Sequence, residues 1–371
     1  MVFGLLMKLI KGVFKKRLNR FVVEAILDNK TVRAHLPNPG RLWELLVPGR
    51  LLYLKEERRE GLPYTVWATE RGGSIICLHT QYTNYVAERL IEEGKVFEGY
   101  KIVKREFSSG RHRFDFLIKK GKSEIPLEVK SVTLFSRRVA MFPDAITTRG
   151  RSHIEALAKM RGGILFVVHS PRPDYFLPNF HTDPQFSERL YTLRDFITIK
   201  AVSVKWDPMM RFEFVKGLSI PWEVYEREAK NRGAYIITGF LDRNRVIEVG
   251  LLGRVEFKKG YYLYVGSALN SMSGRINRHM RREKRLKWHI DYLIRHLKNI
   301  KAIPIQSSED LECQIANSIY NISDGSIKGF GCSDCKCESH LFWMRDNPFL
   351  REEFVNIITK YRIDRLSSLI L

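Results

Sequence analysis

Two carboxylates and a lysine stand in segments that otherwise consist of strand-forming residues. Asp115 lies within HRFDFLIKK, and Glu128 and Lys130 lie within EIPLEVKSVTL. Residues two apart on a strand share a face, so Lys130 points the same way as Glu128. Two carboxylates on neighbouring strands can bind one Mg²⁺ or Mn²⁺ ion, and an ammonium group beside them can stabilise charge on a phosphate. The pattern favours metal-dependent hydrolysis of phosphodiester bonds.

The alternative is a polar edge strand whose charged side chains face solvent. The order of the surrounding elements favours the active-site interpretation, because a helix precedes these strands and another follows them. The first helix is TNYVAERLIEEG, with Asn84 as its predicted N-cap and Glu88 as a further predicted catalytic residue. The second is GRSHIEALAKMRGG, preceded by the loop FPDAITT.

That loop and helix start could hold a phosphate. Asp144, Thr147, Arg149 and His153 lie around the predicted N-terminal end of the helix, where backbone N–H groups attract anions. An ordinary loop-to-helix cap explains the same residues, and the sequence leaves both interpretations open.

The composition favours a polyanionic partner. The 371 residues include 63 Lys and Arg against 41 Asp and Glu, a net charge of +22. A charge of this size and sign attracts nucleic acid, and we expect DNA. The alternative is a proteome whose proteins are basic in general. No membrane partner and no small-molecule substrate are expected. The odd number of cysteines, five, favours reduced thiols and a cytoplasmic location.

Turn residues and apolar periodicity divide the chain into regions. Short strands separated by Pro, Gly and Asn predict a small barrel, for which the OB type is a common form. Helices alternating with buried strands then predict an α/β unit with a mixed sheet. The predicted boundaries are 1–80 for the barrel, 81–215 for the α/β domain, 216–232 for a linker, 233–345 for a third domain, and 346–371 for a helical tail.

Long motifs in the first two regions resemble a known family. FKKRLNRFVV, AHLPNPGRLWELLVPG, REFSSGRHRFDFLI, LEVKSVTL and MFPDAITTRGRSHIEAL are similar to the sugar fermentation stimulation protein A family over about residues 10 to 215. The order of elements also resembles the PD-(D/E)XK nuclease fold. The resemblance implies DNA binding, an OB-like N-terminal part and a nuclease-like second part. It assigns Asp115, Glu128 and Lys130 to the nuclease motif, Glu88 to its helix position, and Mg²⁺ or Mn²⁺ to the two acids.

Basic and amide side chains supply a candidate DNA-binding surface. In the barrel, cations beside tight turns could follow a phosphate backbone without reading the base sequence. Trp43 and Phe21 are better explained as core residues. The predicted DNA-binding residues are Arg17, Arg20, Asn38, Arg41, Arg113, Arg149, His153, Arg278 and Arg282.

The third region carries another set of residues suited to phosphodiester chemistry. GAYIITGFL contains Tyr235 and YYLYVGSA contains Tyr264, and both precede a very basic stretch predicted as helical. Arg275 and His279 lie one helical turn apart on one face of this stretch. A carboxylate for a metal ion, an arginine for phosphate charge and a Tyr or His for proton transfer make a workable set. The alternative is sheet aromatics with surface histidines.

This arrangement resembles a GIY-YIG-type nuclease domain of α+β fold, over about residues 233 to 345. The resemblance implies catalytic roles for Tyr235, Tyr264, Arg275, His279, His289 and Glu312, with Glu312 as the ligand of Mg²⁺ or Mn²⁺.

A cysteine cluster follows. Cys332, Cys335, Cys337 and His340 supply soft ligands that could bind Zn²⁺, either together or as two or three of them with a distant partner. Reduced, packed thiols are the alternative.

The fold class expected overall is therefore a multi-domain α+β and α/β protein. The favoured function is a DNA-binding protein with metal-dependent endonuclease activity. A non-catalytic DNA-binding or regulatory protein on a nuclease scaffold and an RNA-processing factor are the alternatives.

Overall fold

The computed structural model describes residues 7–281 and 283–370. Arg282, predicted to bind DNA, therefore lies outside the described residues. The chain forms two compact units, which are the described parts of Met1–Trp222 with Leu366–Leu371, and Glu223–Arg365. None of the helices in these described ranges has the length and apolar character needed to span a membrane.

The first unit begins with short antiparallel strands connected by tight turns. Its strands are β1 (Ile10–Arg17), β2 (Val22–Leu27), β3 (Lys30–His35), β4 (Leu51–Arg59), β5 (Leu62–Arg71) and β6 (Ser74–Cys77). Asp28 and Asn29 form the two-residue turn between β2 and β3 with φ values of 46° and 60°. Two positive φ values give a turn whose twist matches a hairpin, and Asp and Asn tolerate them.

Helices and further strands follow in the same unit. They are α1 (Tyr82–Glu92), β7 (Lys101–Ser109), β8 (His112–Lys120), β9 (Ser123–Val132), β10 (Phe135–Ser136), β11 (Val139–Phe142), α2 (Thr148–Lys159), β12 (Gly163–Val168), β13 (Tyr175–Pro178), α3 (Pro184–Thr192), β14 (Thr198–Trp206) and β15 (Phe212–Gly217). The strand β12 is buried at every residue, as its unbroken apolar run predicts.

One sheet runs through both predicted N-terminal domains. Its strand order among the described residues is β3-β2-β1-β4-β5-β6-β14-β12-β9-β8-β7, with β15 on β14. The connection is made where Trp206 of β14 pairs with Ile75 of β6. The predicted boundary at residue 80 therefore falls inside one compact unit, although the barrel and the α/β part keep the element order expected of them.

The second unit has a smaller antiparallel sheet with helices beside it. Beyond α4 (Trp222–Glu228), its elements are β16 (Gly233–Leu241), β17 (Arg245–Glu248), β18 (Arg254–Phe257), β19 (Gly260–Ala268), α5 (Met272–Met280), α6 (His289–Ile294), β20 (Lys298–Gln306), α7 (Glu312–Tyr320), β21 (Gly325–Ser326), β22 (Leu341–Met344) and α8 (Glu352–Arg362). The main sheet has the order β20-β16-β19-β22-β21.

Three segments differ from the sequence predictions. Residues 216–232, predicted as a linker, contain the helix α4, whose Glu228 is buried. The basic stretch predicted as helical contains two helices, α5 and α6, and the described residues between them, 281 and 283–288, are not helical. The predicted tail from residue 346 contains α8, which packs on α7 inside the second unit.

Candidate functional site

The two acids of the first unit lie opposite each other on adjacent strands. The antiparallel β8–β9 ladder pairs Phe116 with Leu127, and Asp115 and Glu128 are the next residues outward in that register. Directly opposed residues of an antiparallel pair point to the same face. At this point the Val129 N–H donates to Asp115 Oδ2 at 2.7 Å. The Asp115 side chain thus satisfies a backbone donor where the β8–β9 ladder ends.

Glu128 is buried between two nitrogen-bearing side chains. Its Oε1 lies 2.5 Å from Lys130 Nζ and 2.8 Å from His153 Nδ1. Burial acts to raise the pKa of Glu128, but the contacts with His153 and Lys130 outweigh burial, so its pKa lies below the usual value. Its Oε2 is buried without a hydrogen-bond partner among the described residues.

Asp115 has the opposite electrostatic character. Its Oδ1 accepts a hydrogen bond from Asn84 Nδ2 at 2.8 Å. Burial and the neighbouring Glu128 carboxylate together raise the pKa of Asp115 above the usual value. Asn84 was predicted to be an N-cap, but α1 begins one turn earlier with Gln81 as N-cap, which leaves the Asn84 amide free to orient Asp115.

Asp115, Glu128 and Asn84 line a pocket of about 500 Å³. The pocket is lined by the barrel turn at Asn38 and Gly40, the start of α1, the end of β9 and the loop before α2. Two further cations, Arg20 and Arg149, line it. An anion entering the pocket would therefore meet Lys130 and both arginines.

The donor set fits a hard divalent cation. Asp115 and Glu128 offer carboxylate oxygens on one face, and Mg²⁺ and Mn²⁺ prefer oxygen ligands. The buried, unpartnered Oε2 of Glu128 supplies an acceptor that no described protein donor uses. Asp115 and Glu128 are accordingly the residues that could hold a metal here.

Several residues predicted to touch DNA are structural instead. The Arg17 guanidinium donates to the carbonyls of Gly40 (2.6 Å), Arg41 (2.9 Å), Arg20 (2.7 Å) and Asn38 (3.2 Å). These bonds hold the barrel turn together, so Arg17 has a structural role, and its predicted contact with DNA stays a prediction. The same turn uses Asn38 internally, since its Oδ1 accepts from the Gly40 N–H at 3.0 Å and the residue is buried.

The other predicted basic contacts in this unit divide between the pocket and its surroundings. Arg20 and Arg149 are exposed and line the pocket, and their predicted contact with DNA stays a prediction. Arg41 lies over the Trp43 ring at 5.1 Å. Arg113 is exposed on β8 and pairs with Glu106 at 2.8 Å.

His153 and Glu88 have positions different from those predicted. His153 is buried on Glu128, so it supports an acid of the site and cannot contact DNA directly. The Glu88 carboxylate pairs with Arg105 and lines another depression, formed by α1 and β7. It does not line the pocket that contains Asp115.

A glycine allows close approach of the barrel turn to the loop before α2. A Cβ atom on Gly40 would lie 2.2 Å from Asp144 Oδ2. Asp144 accepts hydrogen bonds from the Leu42 and Arg41 backbone, and burial raises its pKa. This contact connects the barrel to the pocket wall. Thr147 then begins α2, because its hydroxyl accepts from the Gly150 N–H at 3.0 Å.

The second unit brings together five of its six predicted catalytic residues. Tyr235 Oη lies 2.9 Å from His279 Nε2, and the Tyr264 ring centroid lies 6.0 Å from that of His279. Arg275 Nη1 donates to the Ser267 carbonyl at 3.0 Å. Ser267 Oγ in turn donates to Glu312 Oε2.

Burial dominates the chemistry of the two tyrosines. It raises the pKa of both Tyr235 and Tyr264 above the usual value, so both phenols are neutral near pH 7. His289 does not join this cluster, because its Nδ1 accepts from the Gly331 N–H at 3.1 Å and its ring packs on Phe330.

Arg278 is also structural. It donates to Asp291 Oδ1 at 3.2 Å and Oδ2 at 3.0 Å, and its predicted contact with DNA stays a prediction. Asp291 is buried and also lies 3.1 Å from Lys284 Nζ. Burial acts to raise the pKa of Asp291, but the contacts from His279, Arg278 and the backbone lower it strongly. No sequence pattern singled out this aspartate.

The cysteine cluster forms with one unexpected member. Cys335, Cys337 and His340 gather with Cys313 of α7, and their ligand atoms all lie within 4.8 Å of one another. Cys332 is not in this group, and its thiol donates to the Glu338 carbonyl at 3.6 Å. A distant fourth partner was an open alternative in the sequence. Cys313 carried no signal of its own because it lies outside the motif.

Comparisons with known proteins agree with the N-terminal half of this description. Residues 16–78 match the SfsA N-terminal OB domain and residues 81–210 match the sugar fermentation stimulation protein RE domain. A sugar fermentation stimulation protein homolog of Caldanaerobacter subterraneus is 39% identical over 191 residues, covering 49% of this chain and 83% of that protein. The chain belongs to the sugar fermentation stimulation protein (SfsA) family. A homolog from Pyrobaculum islandicum is 38% identical, covering 53% of this chain and 89% of its own.

A solved SfsA structure extends the likeness to three dimensions. SfsA from Pyrococcus furiosus, in complex with Ca²⁺, has 30% sequence identity and a TM-score of 0.54, covering 57% of this chain and 96% of that one. The predicted OB-like part and SfsA family are thus confirmed. Residues 234–363 match a domain of unknown function, DUF123. That match includes α8.

Proposed function

We propose that this SfsA-family chain binds DNA and hydrolyses its phosphodiester bonds at the Asp115–Glu128–Lys130 site. The observation that carries the proposal is the buried, unpartnered Glu128 Oε2 opposite Asp115, with Lys130 on the same wall of an open pocket. The Ca²⁺ in the SfsA structure from Pyrococcus furiosus supports divalent-cation binding in the family.

Each side chain of the site has a separate task. Asp115 and Glu128 would hold Mg²⁺ or Mn²⁺, which would supply Lewis-acid chemistry for activating water and polarising the phosphate. Lys130 stabilises negative charge that develops on the phosphate. His153 positions Glu128 from behind, at 2.8 Å. Arg20 and Arg149 bind neighbouring phosphates at the pocket mouth.

A second candidate activity belongs to the C-terminal unit. We infer a GIY-YIG-like nuclease site from the contact between Tyr235 and His279 at 2.9 Å, with Arg275 and Glu312 joined through Ser267. His279 would accept a proton from the attacking water, Arg275 would bind the phosphate, and Glu312 would hold the metal ion.

Cleavage assays test both activities in the full chain. Labelled single- and double-stranded DNA and a matched RNA are incubated with Mg²⁺ or Mn²⁺ and wild type, Asp115→Ala, Glu312→Gln or the double variant. We expect wild type to cut DNA, Asp115→Ala to lose at least about 10²-fold of the rate of the first site, and the double variant to cut nothing.

The alternatives have distinct outcomes. A wild-type protein that binds DNA but does not cut it would support the non-catalytic scaffold and contradict the proposal. Preferential cleavage of RNA would support an RNA-processing factor. Cleavage by the double variant at the wild-type rate would exclude both sites.

A further inference from the structure

The loop between Phe330 and His340 lacks an apolar core. Its base is closed by backbone hydrogen bonds from His340 N–H to the Phe330 carbonyl (2.8 Å) and from Gly329 N–H to the Glu338 carbonyl (2.9 Å). Residues 332–338 contain no buried side chain and no helix or strand. Loops of this kind need another source of order, and a structural metal ion is a common one.

The side chains that gather beneath the loop suit a soft metal ion. The ligand atoms of Cys313, Cys335, Cys337 and His340 lie within 4.8 Å of one another. Tetrahedral Zn²⁺ with Zn–S bonds of about 2.3 Å places its ligands about 3.8 Å apart. The observed 3.5 Å between Cys335 Sγ and His340 Nε2 agrees with that spacing. Three thiolates with an imidazole favour Zn²⁺ over Mg²⁺ or Ca²⁺.

The histidine is oriented for this role. His340 is buried, and its Nδ1 lies 2.9 Å from Glu312 Oε1, so its Nε2 faces Cys335. A carboxylate on the far nitrogen fixes the tautomer and ring orientation of metal-bound histidines. Glu312 also accepts from Ser267, so one carboxylate joins the cysteine cluster to β19.

We propose that Cys313, Cys335, Cys337 and His340 bind one Zn²⁺ ion, which ties α7 to the 330–340 loop and holds Glu312 in place through His340. The site differs from the contiguous Cys332, Cys335, Cys337 and His340 set. It depends on neither proposed nuclease activity, because zinc binding is measured directly.

Metal content and thiol state test the proposal in the full chain purified under reducing conditions without added metal. We expect about one zinc per chain by elemental analysis, and no disulfide by mass spectrometry. Cobalt substitution should give intense sulfur-to-cobalt absorption typical of a tetrahedral site with several thiolates. Absence of zinc with all thiols reduced, or a disulfide between two of the three cysteines, would overturn the proposal.

Matched cysteine variants separate the two ligand sets. Cys332→Ser should keep the zinc and the cobalt spectrum, whereas Cys313→Ser should lose zinc. The reverse result would assign the contiguous motif and contradict the structure. If Cys313→Ser does not fold, the Co²⁺ spectrum of Cys332→Ser distinguishes the two ligand sets. An unchanged spectrum agrees with the proposed set, and a lost spectrum contradicts it. Glu312→Gln should weaken zinc affinity by about 10- to 100-fold, and an unchanged affinity would remove Glu312 from the proposal.

Discussion

The pKa values of the two carboxylates in the first site, Asp115 and Glu128, are shifted in opposite directions by their surroundings. Glu128 faces His153 and Lys130, so its pKa lies below the usual value despite burial. Burial and the neighbouring Glu128 carboxylate raise the pKa of Asp115. Hydrogen bonds from the Val129 N–H and the Asn84 amide reduce this rise. Groups this close titrate as a pair. Asp115 is therefore the member that takes up a proton first as the pH falls.

Metal affinity should depend on pH through Asp115. Because the raised pKa belongs to an acid, the ionised ligand is present well above that pKa and is lost as the pH falls through it. We expect Mn²⁺ affinity, measured by calorimetry as the pH is lowered stepwise from 7, to weaken steadily. Asn84→Ala removes a hydrogen bond that lowers this pKa, so the loss should move to higher pH. The exposed Asn317→Ala should leave the profile unchanged; equal profiles for all three proteins would contradict this role of Asn84.

Two neighbouring arginines should separate stability from binding. Arg17 donates to five backbone carbonyls, so Arg17→Ala should reduce the free energy of unfolding by about 1.5 kcal/mol or more. Arg20 is exposed at the pocket, so Arg20→Ala should leave the melting temperature nearly unchanged. It should weaken DNA binding and reduce the salt slope by about one. Thermal melts and fluorescence anisotropy measure both effects; a stable, weakly binding Arg17 variant would reverse the assignment.

Local sequence patterns predicted most helices and strands, but not the side-chain contacts that determine where these elements begin and end. The apolar runs of β8, β9 and β12 identified them as strands, and the glycine-closed pattern identified α2. The break between α5 and α6 carried no such signal. Asp291 accepts from the Lys287 and Trp288 N–H groups at 3.0 and 3.1 Å, which fixes the chain in a non-helical path before α6. A buried charge that collects donors from several segments is not visible in periodicity.

Asp291 should accordingly be a main support of the α5–α6 region. Asp291→Asn leaves Arg278 and Lys284 without their shared anion, and breaking a buried ion pair costs about 3 kcal/mol or more. Asp242→Asn, which removes the more exposed pair with Lys298, should cost about 1 kcal/mol or less. Denaturant melts of both variants measure the difference. Similar losses for the two variants would show that Asp291 is not the anchor.

Contacts between distant parts of the sequence determine the architecture of the first unit. The barrel and the α/β elements were predicted separately, and the pairing of Trp206 with Ile75 joins them into one sheet. The candidate site also depends on tertiary contacts. Asp115 and Glu128 were identified from the local sequence pattern, whereas the contact between His153 and Glu128 forms only in the folded chain. Cys313 is the corresponding case in the second unit. Side-chain type and spacing therefore identified the candidate site residues, whereas the residues that contact them from elsewhere in the sequence were visible only in the structure.

The net charge of +22 should make nucleic-acid binding strongly dependent on salt. Each neutralised phosphate releases counterions, so a protein making six such contacts loses about 10³-fold in affinity between 50 and 200 mM salt. We expect dissociation constants for a DNA oligonucleotide, measured by anisotropy, to rise steeply over this range. A neutral polymer of similar size serves as the control. An affinity for DNA independent of salt would contradict the polyanion interpretation.

The absent side chain of Gly40 has a consequence for how this protein can vary. Asp144 fills the space where a Cβ atom of residue 40 would lie, so a larger residue would clash there. The requirement for glycine is steric, because the backbone of Gly40 is outside the left-handed region. In a library of substitutions, position 40 should behave as intolerantly as a catalytic position while contributing no functional group. Compensation should come from a smaller residue at 144, so these two positions should drift together or not at all.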